Sequence, residues 1–327
     1  MFNKAKLKFD DIFENRLPSD EVKEYLIELY NRGETAQEIA AAASAMREHL
    51  IPLPIHYDFK EELIDNCGTG GDKSNSFNVS TTVSIIMAAC GCKVAKHGNR
   101  SITSKSGSAD MLEQLGINLN LSLENSVKLL EKTGFTFMFA QNHHPAMKYI
   151  MPIRKEIPHR TIFNILGPLS NPATVTKQLI GVFNKEYISK IIEAMKLLNA
   201  NRVMVVSSKD GMDEISISDI TYAQTLIDGE IKEFEINPID YGLGIYQKED
   251  IEGGDAKFNA KITRDILENK IIGAKLDIVL INAAAALLVD GKVDNLEDGV
   301  MMARKAILSG KTKEKLDEII KVSQELN

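Results

Sequence analysis

Hydrophobic positions in the first fifty residues follow the spacing of helices. Apolar side chains recur every three or four residues after residues 18–21 (PSDE), a pattern that starts helices. Gly33 ends that helix, and residues 35–38 (TAQE) begin a second, Ala-rich helix over residues 39–50. The sequence therefore predicts a small helical domain over residues 1–60. The apolar positions of its first recognisable helix are Val22, Tyr25, Leu26, Leu29 and Tyr30.

Beyond residue 60, short apolar runs alternate with helical stretches, which predicts a large α/β domain over residues 61–327. We expect a mostly parallel central sheet flanked by helices, with ligands bound at the carboxyl ends of its strands. The predicted strands are 63–66, 93–96, 135–140, 179–182, 202–207, 225–227 and 231–236, the last two joined by a turn at Asp228-Gly229. The predicted helices are 79–90, 109–115, 123–132, 187–198, 277–289 and 296–308.

Two regions interrupt this alternation. Residues 141–176 carry five prolines, too many for one regular element, and we expect a segment near 145–175 to return to the helical domain. Residues 237–262 contain four glycines and are interpreted as a surface excursion.

Composition narrows the class of protein. The chain has 327 residues and a formal net charge of −7, which argues against a nucleic-acid-binding surface and makes any basic site local. Three cysteines without a paired motif indicate reduced thiols. The N-terminus has no apolar stretch of signal-peptide length, and no segment approaches the roughly eighteen apolar residues of a membrane span, so we expect a soluble, cytoplasmic protein that binds neither membrane nor nucleic acid.

The most informative stretch begins with a glycine loop at residues 68–72 (GTGGD). The loop follows a predicted strand, and residues 76–81 (SFNVST) then open a helix. Free backbone N–H groups and the positive end of the helix dipole converge in such an arrangement, which favours an anion. Alone, such a loop would be interpreted as an ordinary turn, as it is in most proteins.

A second loop repeats the arrangement with added charge. A predicted strand leads into residues 96–101 (KHGNRS), and residues 104–110 (SKSGSAD) start the next helix. Glycines, hydroxyls and cations suited to phosphate are thus gathered within about forty residues. No side chain in this stretch resembles an activated nucleophile, so we predict a polyphosphate site without a covalent or acid–base catalytic residue.

These motifs, with others further along the chain, resemble the anthranilate phosphoribosyltransferases of the nucleoside phosphorylase/phosphoribosyltransferase superfamily. The similarity extends from about residue 10 to the C-terminus, with the motifs in order. The further matching segments are 144–147 (HPAM), 152–155 (PIRK), 160–164 (RTIFN), 167–172 (GPLSNP) and 211–214 (GMDE).

The resemblance implies an activity and a set of ligands. A family member transfers the 5-phosphoribosyl group of 5-phosphoribosyl 1-diphosphate to the amino group of anthranilate, in tryptophan biosynthesis, with Mg²⁺ as cofactor. It also implies a homodimer formed through the helical domain. The implied sugar-diphosphate-binding residues are Gly68, Gly71, Asp72, Ser76, Asn78, Val79, Ser80, Thr81, Lys96, His97, Gly98, Asn99, Arg100, Ser101, Ile102, Thr103, Ser104 and Ser108.

Metal and anthranilate ligands also come from the resemblance. Ser80, Asp213 and Glu214 would hold Mg²⁺, and Gly68, Asn99, His144 and Arg154 would contact anthranilate. Without the resemblance, Asp213-Glu214 would be interpreted as a solvated turn and Arg154 as a surface ion-pairing residue. His143-His144 does not suggest zinc, because adjacent histidines point in different directions and no third ligand follows at suitable spacing.

Some residues depart from the family pattern, and two rival classes stay open. Ser76 replaces a more frequent Thr and keeps the hydroxyl, whereas Gln141, His143 and Pro158 change the surroundings of the anthranilate pocket. Pyrimidine nucleoside phosphorylases carry a similar KHG loop. A non-catalytic, nucleic-acid-binding relative is the second rival, although it would be expected to show a basic surface.

Overall fold

A seven-stranded sheet forms the centre of the larger part of the chain. The structure is a computed structural model that describes residues 1–100 and 105–326. The strands are β1 (Leu63–Asn66), β2 (Lys93–Gly98), β3 (Phe135–Phe139), β4 (Lys177–Gly181), β5 (Arg202–Ser208), β6 (Thr221–Ile227) and β7 (Glu230–Ile236). They lie in the order β3-β2-β1-β4-β5-β6-β7. The first five are parallel, and β6 and β7 form an antiparallel edge, which confirms the predicted mostly parallel sheet.

Helices cover both faces of the sheet and make up the N-terminal layer. In the first half of the chain they are α1 (Phe2–Phe13), α2 (Ser19–Arg32), α3 (Ala36–Glu48), α4 (Tyr57–Lys60), α5 (Val79–Ala89), α6 (Ser108–Leu115), α7 (Leu123–Thr133), α8 (Ala140–His143) and α9 (Met147–Lys155). They continue as α10 (Leu166–Leu169), α11 (Glu186–Leu197), α12 (Ala256–Leu267), α13 (Ala274–Asp290), α14 (Leu296–Leu308) and α15 (Lys311–Glu325). Short 3-10 turns lie at Ile162–Asn164, Pro238–Tyr241 and Lys248–Ile251.

The start of α3 shows how local sequence sets a helix boundary. The Glu38 N–H donates to Thr35 Oγ1 (3.3 Å), and the Thr35 N–H donates to Glu38 Oε2 (3.0 Å), a reciprocal capping box. Arg32 at the end of α2 pairs with the same Glu38 carboxylate, so one side chain joins the two helices. The predicted helical N-terminal domain is confirmed.

Alternation along the strands creates two hydrophobic cores. Ile64, Leu179 and Met204 face the layer formed by α5, α13 and α14. Val203 and Val205 face the opposite way, toward α11 and the N-terminal helices. Helix α13 is buried almost all round, and Gly299 of α14 lies so close to it that a Cβ there would sit 2.7 Å from the Ala284 Cα.

The proline-rich segment lies against both layers. Helix α9 contacts α1 and α2, and its Ile150 and Ile153 join their core. Farther along, Gln178 Nε2 donates to the Pro168 carbonyl (2.6 Å) and Arg47 Nε donates to the Leu169 carbonyl (2.7 Å). These bonds connect the segment to β4 and to α3. The domain boundary at residue 60 and the return near 145–175 stay predictions.

The interpretation of residues 237–262 as a surface excursion was wrong for its second half. Residues 256–262 belong to α12, which buries Ala260 and Ile262 in the core. Gly253 allows the chain to approach closely, since a Cβ there would lie 2.7 Å from the Phe77 backbone nitrogen. This glycine therefore serves tight packing. Helix α15 was also missed, and β6 begins four residues before the predicted strand at 225.

Two predictions made from composition can be compared with the structure. The three cysteines are free thiols, with Cys92 buried and Cys67 and Cys90 half-buried. Within residues 1–100 and 105–326, no helix combines the length and the apolar character needed to cross a membrane.

Candidate active site

The glycine loop after β1 lies directly against the acidic pair that follows β5. The Gly70 N–H donates to Asp213 Oδ2 (2.6 Å), and the Thr69 N–H donates to the Gly181 carbonyl (2.9 Å). A Cβ at Gly68 would lie 2.4 Å from Asp213 Oδ2, and one at Gly181 would lie 1.5 Å from the Asp213 carbonyl oxygen. Glycine at both positions is therefore required for this approach, and Gly70 and Gly71 also adopt positive φ.

The N-terminus of α5 completes this side of the site. Its N-cap residue, Asn78, does not cap the helix with its side chain, which instead contacts Ser106 and Asn259. The Ser80 N–H donates to Glu214 Oε1 (3.1 Å), so a carboxylate already uses the anion-attracting end of the helix. Thr81 Oγ1 bonds Ser108 Oγ (3.1 Å) and thereby joins the starts of α5 and α6.

Lys96 lies beneath the two loops and is not a surface charge. Its side chain is only 1% exposed, and Nζ donates to the Asn66 carbonyl (3.0 Å) and lies 3.4 Å from Ser80 Oγ. A buried ammonium is costly unless it has acceptors or opposite charge nearby. Lys96 therefore contributes fixed positive charge at the shared edge of β1 and β2, as the parallel strand order predicts.

Asp213 and Glu214 are crowded and strongly desolvated. Burial, with the neighbouring Asp72 carboxylate, raises the pKa of Asp213 to about 7. Burial and the charges of Asp213 and Asp72 raise the pKa of Glu214 well above its usual range. Glu214 Oε2 has no hydrogen-bond partner among the described residues. Like charges held together with an unused acceptor oxygen fit a hard divalent cation such as Mg²⁺.

The described residues alone do not make a complete metal cage. No group of three His, Cys, Asp or Glu side chains is arranged to hold a metal ion in residues 1–100 and 105–326. An ion at Asp213 and Glu214 would need hydroxyl, water or phosphate oxygens as its other ligands, which is how Mg²⁺ commonly binds. His143 belongs to the adjacent histidine pair, His143-His144, that was considered for zinc. Its Nδ1 instead forms a hydrogen bond with the Ile51 carbonyl (2.7 Å).

Two buried histidines lie side by side near the second loop. The rings of His97 and His144 are 5.2 Å apart, and His97 Nδ1 lies 3.1 Å from the Gly167 carbonyl. Burial lowers the pKa of His97 to about 3 and that of His144 to about 4. Both are therefore neutral near pH 7. His97 Nε2 has no hydrogen-bond partner among the described residues and is free to accept one.

Arg154 lies on α9, half-buried against Phe163. Its Cζ is 5.8 Å from the centre of the Phe163 ring, and burial lowers its pKa. Nη1 lies 3.6 Å from Met151 Sδ. The structure thus places a guanidinium in partly apolar surroundings, which strengthens its attraction for a carboxylate. Among the described residues, the neighbours of the guanidinium are Phe163 and Met151, which do not belong to the phosphate loops.

The second loop is only partly described. Arg100 pairs with Asp110 (2.8 Å) and Glu113 (2.6 Å), so a phosphate would have to compete with two carboxylates for it. Gly98 packs against Phe137, since a Cβ there would lie 2.7 Å from Cε2 of that ring. In the segment that follows the first loop, Ser76 forms a β-bridge with Glu252. The predicted ligands Ser101, Ile102, Thr103 and Ser104 lie outside the described residues.

Sequence reasoning missed two buried residues that support the site. Asn282 of α13 accepts from the Ile215 N–H (2.9 Å) and donates to the Ile215 carbonyl (2.8 Å), which holds the backbone directly after the acidic pair. Asp65 accepts from Asn171 Nδ2 (2.8 Å) and from the His97 N–H (3.3 Å). The available signals were an asparagine in the apolar middle of α13 and an acid within a buried strand.

Comparison with known proteins defines the class. Residues 4–50 match the glycosyl transferase family helical bundle domain, and residues 60–313 match the glycosyl transferase family a/b domain. An anthranilate phosphoribosyltransferase of Methanobrevibacter smithii is 45% identical over 95% of this chain and 91% of its own. One from Listeria welshimeri is 44% identical over 97% and 92%. The chain belongs to the anthranilate phosphoribosyltransferase family, which confirms the resemblance.

Solved structures agree with this assignment. The anthranilate phosphoribosyltransferase of Thermus thermophilus superposes with a TM-score of 0.92 at 35% identity, over 99% of this chain and 96% of its own. The Saccharomyces cerevisiae enzyme in complex with PRPP and Mg superposes with a TM-score of 0.84 at 29% identity, over 94% and 86%. The same yeast enzyme has been solved in complex with 4-fluoroanthranilate, with a TM-score of 0.87 at 26% identity, over 100% and 94%.

The raised pKa of Asp213 predicts how the stability of the metal-free protein depends on pH. The folded protein keeps a proton on Asp213 up to about pH 7, whereas the unfolded chain releases it near pH 4. The contribution of Asp213 to the free energy of unfolding therefore falls as pH rises from 5 to 7. Asp213→Asn removes this loss, so its stability relative to the unsubstituted protein should rise by about 2 kcal/mol over that interval.

Urea unfolding in EDTA at pH 5, 6 and 7 measures this difference. Asp294→Asn, which changes an exposed carboxylate, serves as the control and should show no such trend. If the difference in free energy of unfolding between Asp213→Asn and the unsubstituted protein did not change with pH, the description of the carboxylate pair as desolvated and crowded would be wrong.

Proposed function

We propose that this protein transfers the 5-phosphoribosyl group of 5-phosphoribosyl 1-diphosphate to the amino group of anthranilate, giving N-(5-phosphoribosyl)anthranilate and diphosphate in L-tryptophan biosynthesis. The observation that carries the proposal is the acidic pair Asp213-Glu214 held against a glycine loop, in a chain of this family. Such an arrangement can hold a metal–diphosphate group. A solvated surface turn, the alternative interpretation of Asp213-Glu214, would not require it.

The loops supply the phosphate contacts in this proposal. Backbone N–H groups of residues 68–72, the start of α5 and the hydroxyls of Ser80 and Thr81 would bind oxygens of the sugar diphosphate. Lys96 adds a positive charge from below. Because Lys96 and the start of α5 are fixed by contacts with buried groups, they need little reorganisation as charge moves to the leaving diphosphate.

Magnesium fits the residues that are present. Asp213, Glu214 and Ser80 would hold it, and Glu214 Oε2 is an acceptor without a partner among the described residues. The ion would supply positive charge that stabilises the departing diphosphate. The protein's own contribution is to keep both carboxylates in place, through the Gly70 and Ser80 N–H groups and the Asn282 clamp on Ile215.

The chemistry needs orientation more than proton transfer. The bond between ribose C1 and the diphosphate oxygen breaks with its electron pair on that oxygen, the anthranilate nitrogen bonds C1, and that nitrogen gives one proton to the released diphosphate or to solvent. As diphosphate leaves, positive charge develops on the ribose, so a weak amine can react if it is held against C1. His97 and His144 are neutral near pH 7 and suit hydrogen bonding in the pocket, without a role as strong bases.

Anthranilate would be bound by its carboxylate. Arg154 is half-buried, and a guanidinium can engage a planar carboxylate through two parallel hydrogen bonds. Gly68, Asn99 and His144 would form the rest of the pocket. Gln141, His143 and Pro158 would modify its edge. Closure of the helical layer over the sheet would bring Arg154 toward the ribose.

A direct assay tests the transfer reaction. Purified protein with Mg²⁺ should lose anthranilate fluorescence only when 5-phosphoribosyl 1-diphosphate is added, and EDTA should stop the loss. Fluorescence that stays constant in a folded sample would contradict the proposal. Phosphorolysis of thymidine or uridine by the same sample would instead support the nucleoside phosphorylase class.

The role of Arg154 has its own test. Arg154→Ala should raise the KM for anthranilate by about tenfold or more, with a much smaller effect on the KM for the sugar diphosphate, because only anthranilate loses a charge-assisted contact. Lys155→Ala, an exposed neighbour, is the matched control. Equal increases in both KM values would rule out this role.

The assembly and location belong to the same proposal. Two copies would associate through the N-terminal helices, where Leu7 is an exposed apolar residue (67% exposed), and the dimer would be cytoplasmic. Light scattering should give twice the chain mass, and Leu7→Asp should lower it. A monomer at micromolar concentration, or activity in the membrane fraction after cell lysis, would contradict these statements.

A further inference from the structure

Arg160 lies at the junction of the glycine loop, the proline-rich segment and β4, although no sequence prediction gave it a role. It follows α9, in the connection to the 3-10 turn at Ile162–Asn164. Its guanidinium Nη2 donates to the Gly71 carbonyl. Its Cζ lies 3.5 Å from the centre of the Phe183 ring, close enough for a strong cation–π contact.

The hydrogen bond from Arg160 holds Gly71 between two other anchors of the loop, at Gly70 and at Asp72, whose Oδ2 lies 3.5 Å from the Asp213 backbone nitrogen. The first residues of the loop are anchored by Gly181 and Asp213, through the Thr69 and Gly70 N–H groups. Gly71 is exposed and has a positive φ of 73°, so its own backbone is weakly restrained. The bond from Arg160 therefore restrains Gly71, the residue through which the loop continues toward Asp72.

The same arginine connects the loop to the N-terminal helices. The adjacent His159 stacks on Tyr30 of α2, with ring centres 3.7 Å apart. On the other side, Phe183 contacts Tyr187, whose hydroxyl donates to Glu34 Oε2 (3.3 Å). A displacement of α2 would therefore be transmitted to the loop through His159 and Arg160.

The positive charge of Arg160 is also less neutralised by neighbouring groups than that of Arg100, the other arginine near the loops. Arg100 is paired with Asp110 and Glu113. Within the described residues, the contacts of the Arg160 guanidinium are a carbonyl oxygen and an aromatic face, neither of which neutralises it. Its field thus acts on whatever anion the glycine loop binds.

We infer that Arg160 is a positioning residue for the sugar-diphosphate loop: it holds the Gly71 carbonyl from the proline-rich segment and leaves its charge available to the bound diphosphate. This inference rests on the proposed function. It predicts that the loop loses affinity for diphosphate when either the guanidinium or its aromatic support is removed, while anthranilate binding is unaffected.

The experiment compares Arg160→Gln, Arg160→Lys and Phe183→Leu with Arg202→Gln. Arg202 is a matched control because it also bonds backbone carbonyls, those of Val289 (2.8 Å) and Leu288 (3.0 Å), but at the opposite end of β5. Arg160→Gln should raise the KM for 5-phosphoribosyl 1-diphosphate about five- to tenfold and leave the KM for anthranilate within about twofold. Arg160→Lys and Phe183→Leu should show smaller increases, because each keeps the charge.

A binding measurement separates this inference from the proposed reaction. The rise in melting temperature caused by inorganic diphosphate with Mg²⁺ should be present in the unsubstituted protein and in Arg202→Gln, and strongly reduced in Arg160→Gln. If the unsubstituted protein is active but Arg160→Gln and Phe183→Leu behave like Arg202→Gln, the inference is overturned and the proposed reaction is not. Protein that neither transfers phosphoribose nor responds to diphosphate would contradict both. A normal diphosphate response without transfer, lost in Arg160→Gln, would support the inference and refute the reaction.

Discussion

The structure of the site depends on two carboxylates that are close together and buried, although their negative charges repel each other and favour exposure to water. Asp213 and Glu214 follow the end of β5, and the glycine loop closes on them because Gly68 and Gly181 carry no side chain. Backbone N–H groups and Lys96 compensate only part of that charge, as the raised pKa of Asp213 indicates. A site of this kind is stabilised further by a cation, and it favours a ligand whose phosphates can share that cation.

The remaining parts of the site are connected through the proline-rich segment. Its carbonyls accept hydrogen bonds from Arg47 of α3 and Gln178 of β4, and its Arg160 reaches the glycine loop. The segment also carries Arg154 near the N-terminal helices. One stretch of chain thus contacts both layers of the molecule and both proposed substrate sites, which would give the proposed closure of the layers a physical route to the loop.

Local patterns were sufficient to predict the parallel strands and the two loops, because apolar runs, glycines and helix-start residues are signals within ten residues of one another. Tertiary contacts determined the rest. The contact of buried Lys96 with Asn66 and the clamp of Asn282 on Ile215 both join residues distant in sequence. Helix α12 was missed because neighbouring glycines suggested a loop, whereas Gly253 serves close packing on Phe77. Arg154 and Asp213 were recognised only through the family resemblance.

The most direct test of this account is a crystal structure of the protein with Mg²⁺ and 5-phosphoribosyl 1-diphosphate. The account predicts a metal ion about 2.1 Å from carboxylate oxygens of Asp213 or Glu214 and from diphosphate oxygens, or joined to those carboxylates by its bound water. It also predicts that the glycine loop surrounds the phosphates. A diphosphate bound elsewhere, or a metal ion that makes neither direct nor water-mediated contact with the acidic pair, would contradict the central claim that these carboxylates form a cation site completed by the substrate.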